Sequence, residues 1–276
     1  MASLLRPKPA VTFGGGSAPE PIDLPLSSEA TDAAIKSVQT QDQKQIQLPR
    51  SALLTYSAQG TVDNQSFQVS STLNWRQDGR LYDARWVLYS PRVGEFTRVS
   101  TGLIAPQGIV PVVASLRTPQ EHIIRFDHEA QRVRVDEGNN DTQLTPGTQD
   151  RLGALIQLGA MLSSDQARAT TGQTIELPAA HLQSVGRWVF IVQGDENIPA
   201  LRQDAVPTVR LLHSPQSEKD ARIEVWLGRT LDFLPVRLRV TEPNGDTVEY
   251  NVQTAYTQQV PAAAAPPPAA SEARAQ

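Results

Sequence analysis

Histidine side chains are the first candidates for a general base or a metal ligand, and the chain has four of them. They are His122, His128, His181 and His213. Only the first two lie close together, and no further histidine follows at the spacing of a zinc protease motif. On one strand, residues six apart share a face but lie about 20 Å from each other, too far to share a metal ion. We therefore interpret His122 and His128 as solvent-facing strand residues and predict no metal site.

Motifs for covalent catalysis or nucleotide binding are absent from the sequence. There is no Gly-x-Ser-x-Gly nucleophile elbow, no phosphate-binding P-loop and no Gly-x-Gly-x-x-Gly after a strand pattern. The carboxylate pairs Asp195-Glu196 and Asp127/Glu129 fall at predicted turns or strand ends, where solvated charge is the ordinary explanation. The sequence thus predicts a non-enzymatic protein without catalytic residues or a cofactor.

A polar cluster, Gln149-Asp150-Arg151, precedes an apolar stretch and allows two interpretations. In the functional one, the cluster forms a polar patch at the mouth of a cavity. In the structural one, Asp150 serves a helix N-terminus, where the helix dipole favours a carboxylate, and Arg151 pairs with a strand carboxylate. The sequence favours the structural interpretation and leaves the other open.

Large apolar side chains provide the candidates for a ligand pocket, although tryptophans on strands are more often part of a core. The run Trp188–Val192 (WVFIV) is apolar on both faces, which predicts a strand covered on both sides. If a cavity lies between sheet and helix, its expected lining is Trp75, Trp86, Leu155, Leu158, Met161, Leu162, Trp188, Phe190 and Trp226.

The elements that must position these residues are mostly strands. From Ala52 onward, short alternating or apolar stretches are broken by turn residues such as Asp63-Asn64. The clearest hairpin joins two alternating runs, 236–240 and 248–252, through Asn244-Gly245, a pair typical of tight hairpin turns. We predict about ten to twelve antiparallel strands.

One segment, Thr148–Ser163 (TQDRLGALIQLGAMLS), is predicted to be a helix with Thr148 as its N-cap. Its apolar residues cover more than half of the helix circumference, which indicates a buried helix. Gly153 and Gly159 would let it approach neighbouring strands. The predicted fold is mainly β: a single domain in which a long curved antiparallel sheet, an open half-barrel, wraps one buried α-helix.

Composition limits the class of protein. The 276 residues include no cysteine, carry a net charge of −4 and are 5% aromatic. These values exclude a disulfide scaffold, a cysteine-ligated metal protein and a strongly basic nucleic-acid binder. No apolar run approaches the roughly 18 residues of a membrane helix.

The tails differ from the centre. We expect residues 1–49 to be a disordered Pro/Gly-rich segment with a short helix over 28–37, residues 50–259 to be the β-domain, and residues 260–276 to be a disordered Ala/Pro-rich tail. The N-terminus lacks the apolar region of a secretory signal. Two interpretations remain: a cytoplasmic protein, or an exported one whose export or anchoring segment is missing from this chain.

Four segments carry a family resemblance: Tyr56–Trp86, Thr101–Pro111 (TGLIAPQGIVP), Pro146–Leu162 (PGTQDRLGALIQLGAML) and Glu224–Tyr250. Together they resemble the bacterial domain-of-unknown-function 3108 family. The resemblance implies a location in the bacterial envelope and a fold similar to the helix-plugged half-barrel of periplasmic lipoprotein carriers. It implies no established activity and no catalytic residues.

The expected function is that of a non-enzymatic periplasmic or envelope-associated domain. It would bind an apolar ligand (a lipid, an acyl chain or a lipoprotein) between the sheet and the helix. The alternative is an assembly module that presents a strand edge or a sheet face to another envelope protein. A nucleic-acid partner is not expected, nor a membrane span in this chain.

Overall fold

The computed structural model describes residues 46–90, 94–118, 120–136, 141–181, 184–200 and 203–258. The expectations for the two tails, including the short helix over 28–37, fall on residues 1–45 and 259–276 and lie outside the described part.

The described residues form fifteen strands, one α-helix and one short 3-10 helix, Gln166–Ala169. The α-helix, α1, spans Arg151–Ser164. The strands are β1 (Ala52–Val62), β2 (Gln65–Gln77), β3 (Leu81–Ser90), β4 (Gly94–Ala105), β5 (Gly108–Thr118), β6 (Gln120–Asp127), β7 (Arg132–Val135), β8 (Thr142–Gln143), β9 (Gln149–Asp150), β10 (Thr174–His181), β11 (Ser184–Ala200), β12 (Gln203–His213), β13 (Arg222–Gly228), β14 (Pro235–Thr241) and β15 (Thr247–Thr257).

All these strands belong to one sheet, in the order β8 to β1 followed by β15 down to β9. Sequential strands are neighbours because tight turns connect antiparallel pairs, and the first and last strands meet where β1 pairs with β15. Only β9 runs parallel to its neighbour, β10. The predicted mainly-β fold with one curved sheet and one helix is confirmed.

The predicted hairpin is present, and its alternating apolar residues face each other across the two strands. Leu238 lies opposite Tyr250 and Val240 opposite Val248, so both pairs share one face. Gly245 in the connecting loop has φ +91°, which glycine adopts without strain. The alternation in the sequence therefore fixed which side chains point to the core.

The sheet curls until its two ends approach each other. Side chains of β5, β6 and β7 pack against Ala180 of β10 in a separate apolar cluster that includes Ile124, Phe126 and Val133. The Gln149 side-chain amide also donates a hydrogen bond to the carbonyl of Ile109 on β5, at 2.9 Å. Side-chain contacts thus bring the ends of the sheet together, which gives the domain a barrel-like shape.

The helix begins later than predicted. Its N-cap is Asp150, not Thr148, and the Asp150 carboxylate accepts hydrogen bonds from the backbone N–H groups of Leu152 and Gly153. The two residues before the helix are held extended by pairing with β10, with ψ 173° at Asp150. Because of this pairing, the helix begins at Arg151.

Burial of the helix on most of its circumference is confirmed, since ten of its fourteen residues are buried. The predicted role of its glycines is also confirmed. A Cβ on Gly159 would lie 2.4 Å from the carbonyl oxygen of Phe233, and a Cβ on Gly153 would lie 2.9 Å from Asp150 Oδ2. Only glycine allows the helix to pack this close to the chain after β13.

The prediction that the Trp188–Val192 strand is covered on both faces was wrong. Trp188, Phe190 and Val192 are buried, whereas Val189 is half-buried and Ile191 is 40% exposed. Within the described residues, the sheet has the helix on its inner face, and Ile191 lies on the other face.

Candidate functional site

The interior between sheet and helix is occupied by the side chains expected to line a cavity. Seven of them are buried and Met161 is half-buried; the seven are Trp75, Trp86, Leu155, Leu158, Leu162, Trp188 and Phe190. They pack against one another: Trp86 stacks on Tyr56 with ring centroids 5.0 Å apart. These residues form the main core of the domain. That they bind a ligand stays a prediction.

Trp226, the ninth of these side chains, is also buried and belongs to the same apolar cluster, although its neighbours on the adjacent strands are charged. The strand register places it between Arg210 and Arg237, whose guanidinium carbons lie 5.2 and 4.4 Å from its ring centroid. Its indole N–H donates to Glu196 Oε2 at 2.8 Å. Its neighbours Val225 and Leu227 are buried as well, and that Trp226 binds a ligand stays a prediction.

The N-terminal half of the helix is anchored to the β4–β5 turn through glutamine side chains. Gln157 Oε1 accepts from the Ile109 backbone N–H at 3.0 Å, and Gln157 Nε2 donates to the Gln107 carbonyl at 2.8 Å. Gly108 has φ +115°, and a Cβ there would lie 2.1 Å from Gln157 Oε1. Two of the segments behind the family resemblance, 101–111 and 146–162, therefore bind each other.

Asp150 is at the centre of a buried hydrogen-bonded chain. It is 3% exposed, caps the helix, and accepts a short hydrogen bond from the Ser100 hydroxyl, which in turn contacts the Tyr82 hydroxyl at 3.0 Å. Burial raises the pKa of Asp150, and the hydrogen bonds from Ser100 and the helix N–H groups oppose that rise. Asp150 serves the helix N-terminus, as the structural interpretation expects.

Arg151 does not pair with a strand carboxylate, so this expectation was wrong. Its guanidinium carbon lies 5.3 Å from the ring centroid of Trp188. A second arginine, Arg98 on β4, lies 5.0 Å from the ring of Phe96. Within the described part of the chain, neither guanidinium forms a salt bridge or a hydrogen bond.

These two arginines influence each other electrostatically. Burial and the positive charge of Arg151 lower the pKa of Arg98, against the opposing influence of Tyr250, Asp150 and Glu242, to about 10. Burial also lowers the pKa of Arg151, against the opposing charges of Glu242 and Asp220. Two guanidinium groups thus lose hydration without gaining a carboxylate partner, which is energetically unfavourable.

A small recess opens beside the two guanidinium groups, and we call it the arginine recess. It is lined by Arg98, Arg151, Asp150 and apolar side chains that include Leu116 and Ile124, and its volume is about 20 Å³. A volume of this size holds about one water-sized group. The recess combines positive charge with apolar walls at the N-terminal end of the helix.

Sequence reasoning missed Arg98, although a signal was present. The register places Arg98 opposite Trp86 on one side and Leu116 on the other, so it shares their face of the sheet. Alternation along β4 could have shown that an arginine occupies an inward-facing position. A charged residue on a core face is uncommon unless it is paired or functional.

His213 forms a second buried polar group that the sequence did not single out. The side chain is 0% exposed; Nδ1 lies 3.0 Å from the Val189 carbonyl and Nε2 lies 2.9 Å from Asp220 Oδ2. Both partner atoms are hydrogen-bond acceptors, so the ring is held between two oxygen atoms. Burial raises the pKa of Asp220, but hydrogen bonds from Gln216 and His213 outweigh this and the pKa is lowered overall.

Replacing Asp220 by asparagine is expected to lower the free energy of unfolding by about 1 to 2 kcal/mol at pH 7, because a charged hydrogen bond becomes a neutral one. The folded pKa of Asp220 is depressed, so its contribution is present above the unfolded pKa of about 3.9 and is lost as the pH falls through the folded value. The difference between variant and wild type should therefore shrink at pH 3. Urea unfolding at both pH values measures it.

The control is Glu218→Gln in the same loop, which changes the charge equally at an exposed position. It should leave the stability unchanged at both pH values. Equal effects of the two substitutions would show that net charge, rather than the contact with His213, is responsible.

The outer face carries a shallow groove of about 560 Å³ across β1, β13, β14 and β15. Ion pairs line it: Glu249 pairs with Arg239, and Glu224 lies 3.5 Å from Arg222. Here arginine and glutamate charges compensate each other, in contrast to the arginine recess.

Over the ranges that the structure describes, no group of three or more histidine, aspartate or glutamate side chains is arranged to hold a metal ion. None of the helices in that part of the chain is long and apolar enough to cross a membrane.

A family model described as "Protein of unknown function (DUF3108)" matches residues 55–253, from the first strand to the last. The chain belongs to the DUF3108 family. The match includes every side chain of the arginine recess and the whole of α1, so the family region and the barrel-like unit coincide. No curated protein matches the chain.

Solved structures resemble this DUF3108 domain in fold. A beta-barrel-like protein of the DUF1849 family from Brucella abortus has a TM-score of 0.51 at 11% identity, with 78% of this chain and all of that chain (100%) covered. At this identity the likeness shows the fold alone. A putative outer membrane lipoprotein-sorting protein domain from Vibrio parahaemolyticus is 10% identical, covers 83% and 92% of the two chains and has a TM-score of 0.29, too low to support an argument.

Proposed function

We propose that this DUF3108 domain is a non-enzymatic binding domain of the bacterial cell envelope, with a periplasmic or envelope-associated location. Its ligand is an apolar molecule: a lipid, an acyl chain or the lipid of a lipoprotein. The ligand binds between the curled sheet and α1.

The observation that carries this proposal is the relation of α1 to the sheet. The helix is apolar around most of its circumference and occupies the inside of a single curled sheet. Its polar anchors are Gln149 and Asp150, just before its first residue, and Gln157, within its first half. The C-terminal half is held mainly by apolar contacts, which an apolar ligand can replace without leaving polar groups unpaired.

The less buried end of the interior is the C-terminal turn of α1. Met161 and Ser163 are half-buried there, whereas Leu155, Leu158 and Leu162 are buried. Because the interior side chains are in contact, ligand entry requires that some of them move apart. Methionine adapts well to such repacking, since its side chain is unbranched and flexible.

A neutral apolar probe tests this function directly. We expect the purified domain, freed of lipid, to bind N-phenyl-1-naphthylamine with increased fluorescence, and dodecanol to displace it. Met161→Gln should weaken binding several-fold because it adds polar atoms beside the entry. Ile191→Ser, on the outer face, should leave binding unchanged.

Native mass spectrometry of protein purified from its own host provides the second readout, and a bound lipid is the expected result. Absence of probe binding together with lipid-free protein would contradict the proposal. Probe binding that Ile191→Ser abolishes would place the probe on the surface and would contradict the interior site.

A second candidate function is an assembly module that uses the outer sheet face. Tyr89 and Tyr256 are 62% and 66% exposed, which is unusual for large aromatic side chains. The two terminal strands of the sheet, β8 and β9, have only two residues each, so a sheet face is the better docking surface than a strand edge. In the native mass spectrum, a defined protein partner that Tyr256→Ser removes would favour this function.

A further inference from the structure

The arginines of the recess differ from other arginines of the domain in their partners. Arg50 pairs with Asp232 at 2.7 Å, Arg237 with Glu249 at 2.9 Å, and Arg210 with Glu224. Arg98 and Arg151 each lie against an aromatic ring, and Asp150, the carboxylate that lines the recess with them, forms no ion pair with either. Two guanidinium groups placed together without an ion-pair partner reduce the stability of a protein, and such an arrangement is typical of binding sites.

The two groups are also held in place. Arg98 projects from the inward face of β4, and Arg151 is the first residue of α1, whose start is fixed by Asp150. The rings of Phe96 and Trp188 support the guanidinium planes, so their N–H groups remain available for a ligand. Rigid donors of this kind lose little entropy when an anion binds.

We propose that Arg98 and Arg151 bind an oxyanion, a phosphate or carboxylate group, in the arginine recess. The guanidinium fork matches both groups in geometry, and the recess admits an oxygen atom or two while the remainder of the ligand lies outside. Leu116 and Ile124 at its wall suit an adjoining apolar chain. The oxyanion would be the head group of the apolar ligand, so this proposal rests on the proposed function.

The carboxylates near the recess do not serve as ion-pair partners of Arg98 and Arg151. The Asp150 carboxylate is engaged by Ser100 and the helix N–H groups, and Asp220 is engaged by His213. Glu242 is exposed and acts on both arginines through space without an ion pair. A bound oxyanion would supply the missing contact charge.

Titration calorimetry of the complete chain with three probes tests the site. Octanoate carries a carboxylate on an apolar chain, octanol carries the same chain without charge, and inorganic phosphate carries the charge alone. We expect octanoate to bind at least tenfold more tightly than octanol, and Arg98→Gln or Arg151→Gln to remove this preference. Arg187→Gln, an equal charge change at a side chain 75% exposed, should not alter it.

The source of the anion follows from the same titrations. Competition between phosphate and octanoate would indicate a site for either group, and binding to phosphatidylglycerol vesicles but not to phosphatidylcholine vesicles would indicate a lipid head group. Equal affinities for octanoate and octanol would overturn the anion site and leave the apolar function standing. Octanoate preference that survives both arginine substitutions would also overturn it.

Thermal unfolding separates a binding role from a structural one. Because each arginine is partly desolvated and unpaired, we expect Arg98→Gln to fold and to have an unchanged or higher Tm. A lower Tm together with an unchanged anion affinity would assign Arg98 to the core and would overturn the proposal.

Discussion

Replacing Asp150 by alanine is expected to lower the free energy of unfolding by about 4 kcal/mol. The substitution removes the helix cap and leaves the N–H groups of Leu152 and Gly153 and the hydroxyl of Ser100 without their buried acceptor. Each buried polar group that loses its partner retains its desolvation cost. Urea denaturation followed by tryptophan fluorescence measures the loss.

The matched control is Asp165→Ala, which removes the cap of the short 3-10 helix. Asp165 is exposed and accepts from the Ala167 N–H at 3.2 Å, so we expect a loss of about 0.5 kcal/mol. Asp150→Asn retains one acceptor oxygen, so its loss of unfolding free energy should fall between those of the two alanine variants. Similar losses for Asp150→Ala and Asp165→Ala would show that the buried hydrogen bonds linking Asp150, Ser100 and Tyr82 contribute little to the stability.

Replacing Gly159 by alanine should destabilise the domain by about 2 to 3 kcal/mol, although alanine is the better helix former by about 1 kcal/mol. The added Cβ would lie 2.4 Å from the Phe233 carbonyl oxygen, and backbone on both sides of this contact must shift. Phe233 has φ +56°, so its segment has little freedom to move. Thermal unfolding and urea unfolding measure the effect.

Gly186→Ala is the control for this prediction. A Cβ on Gly186 meets no atom within 4 Å, so alanine there should be neutral or slightly stabilising. A neutral or stabilising Gly159→Ala would instead show that the helix can move away from Phe233 at little cost. It would also indicate that a ligand can shift the helix at a low cost in free energy.

Local patterns were sufficient for much of the fold. Alternation on both sides of Asn244-Gly245 predicted the β14–β15 hairpin and which of its residues share a face, because neighbouring strand residues must point to opposite faces. The spread of apolar residues around α1 predicted its burial. Both properties depend on residues a few positions apart, which a sequence displays directly.

Interpretations that depended on distant segments were less successful. The apolar run at Trp188–Val192 predicted coverage of both faces, but coverage depends on whether another layer packs there. Thr148 is a reasonable N-cap by residue type, yet pairing of β9 with β10 moved the helix start to Arg151.

The sequence by itself determined a mainly β domain with one buried helix, and its resemblance to a family of unknown function was confirmed. Only the tertiary structure showed that Arg98 and Arg151 lie beside one recess and that neither forms an ion pair with a carboxylate there. These arginines are separated by more than fifty residues, and their proximity results from how a curled sheet closes around α1. Spacing in the sequence cannot encode such a contact, because it arises from long-range strand order and side-chain packing.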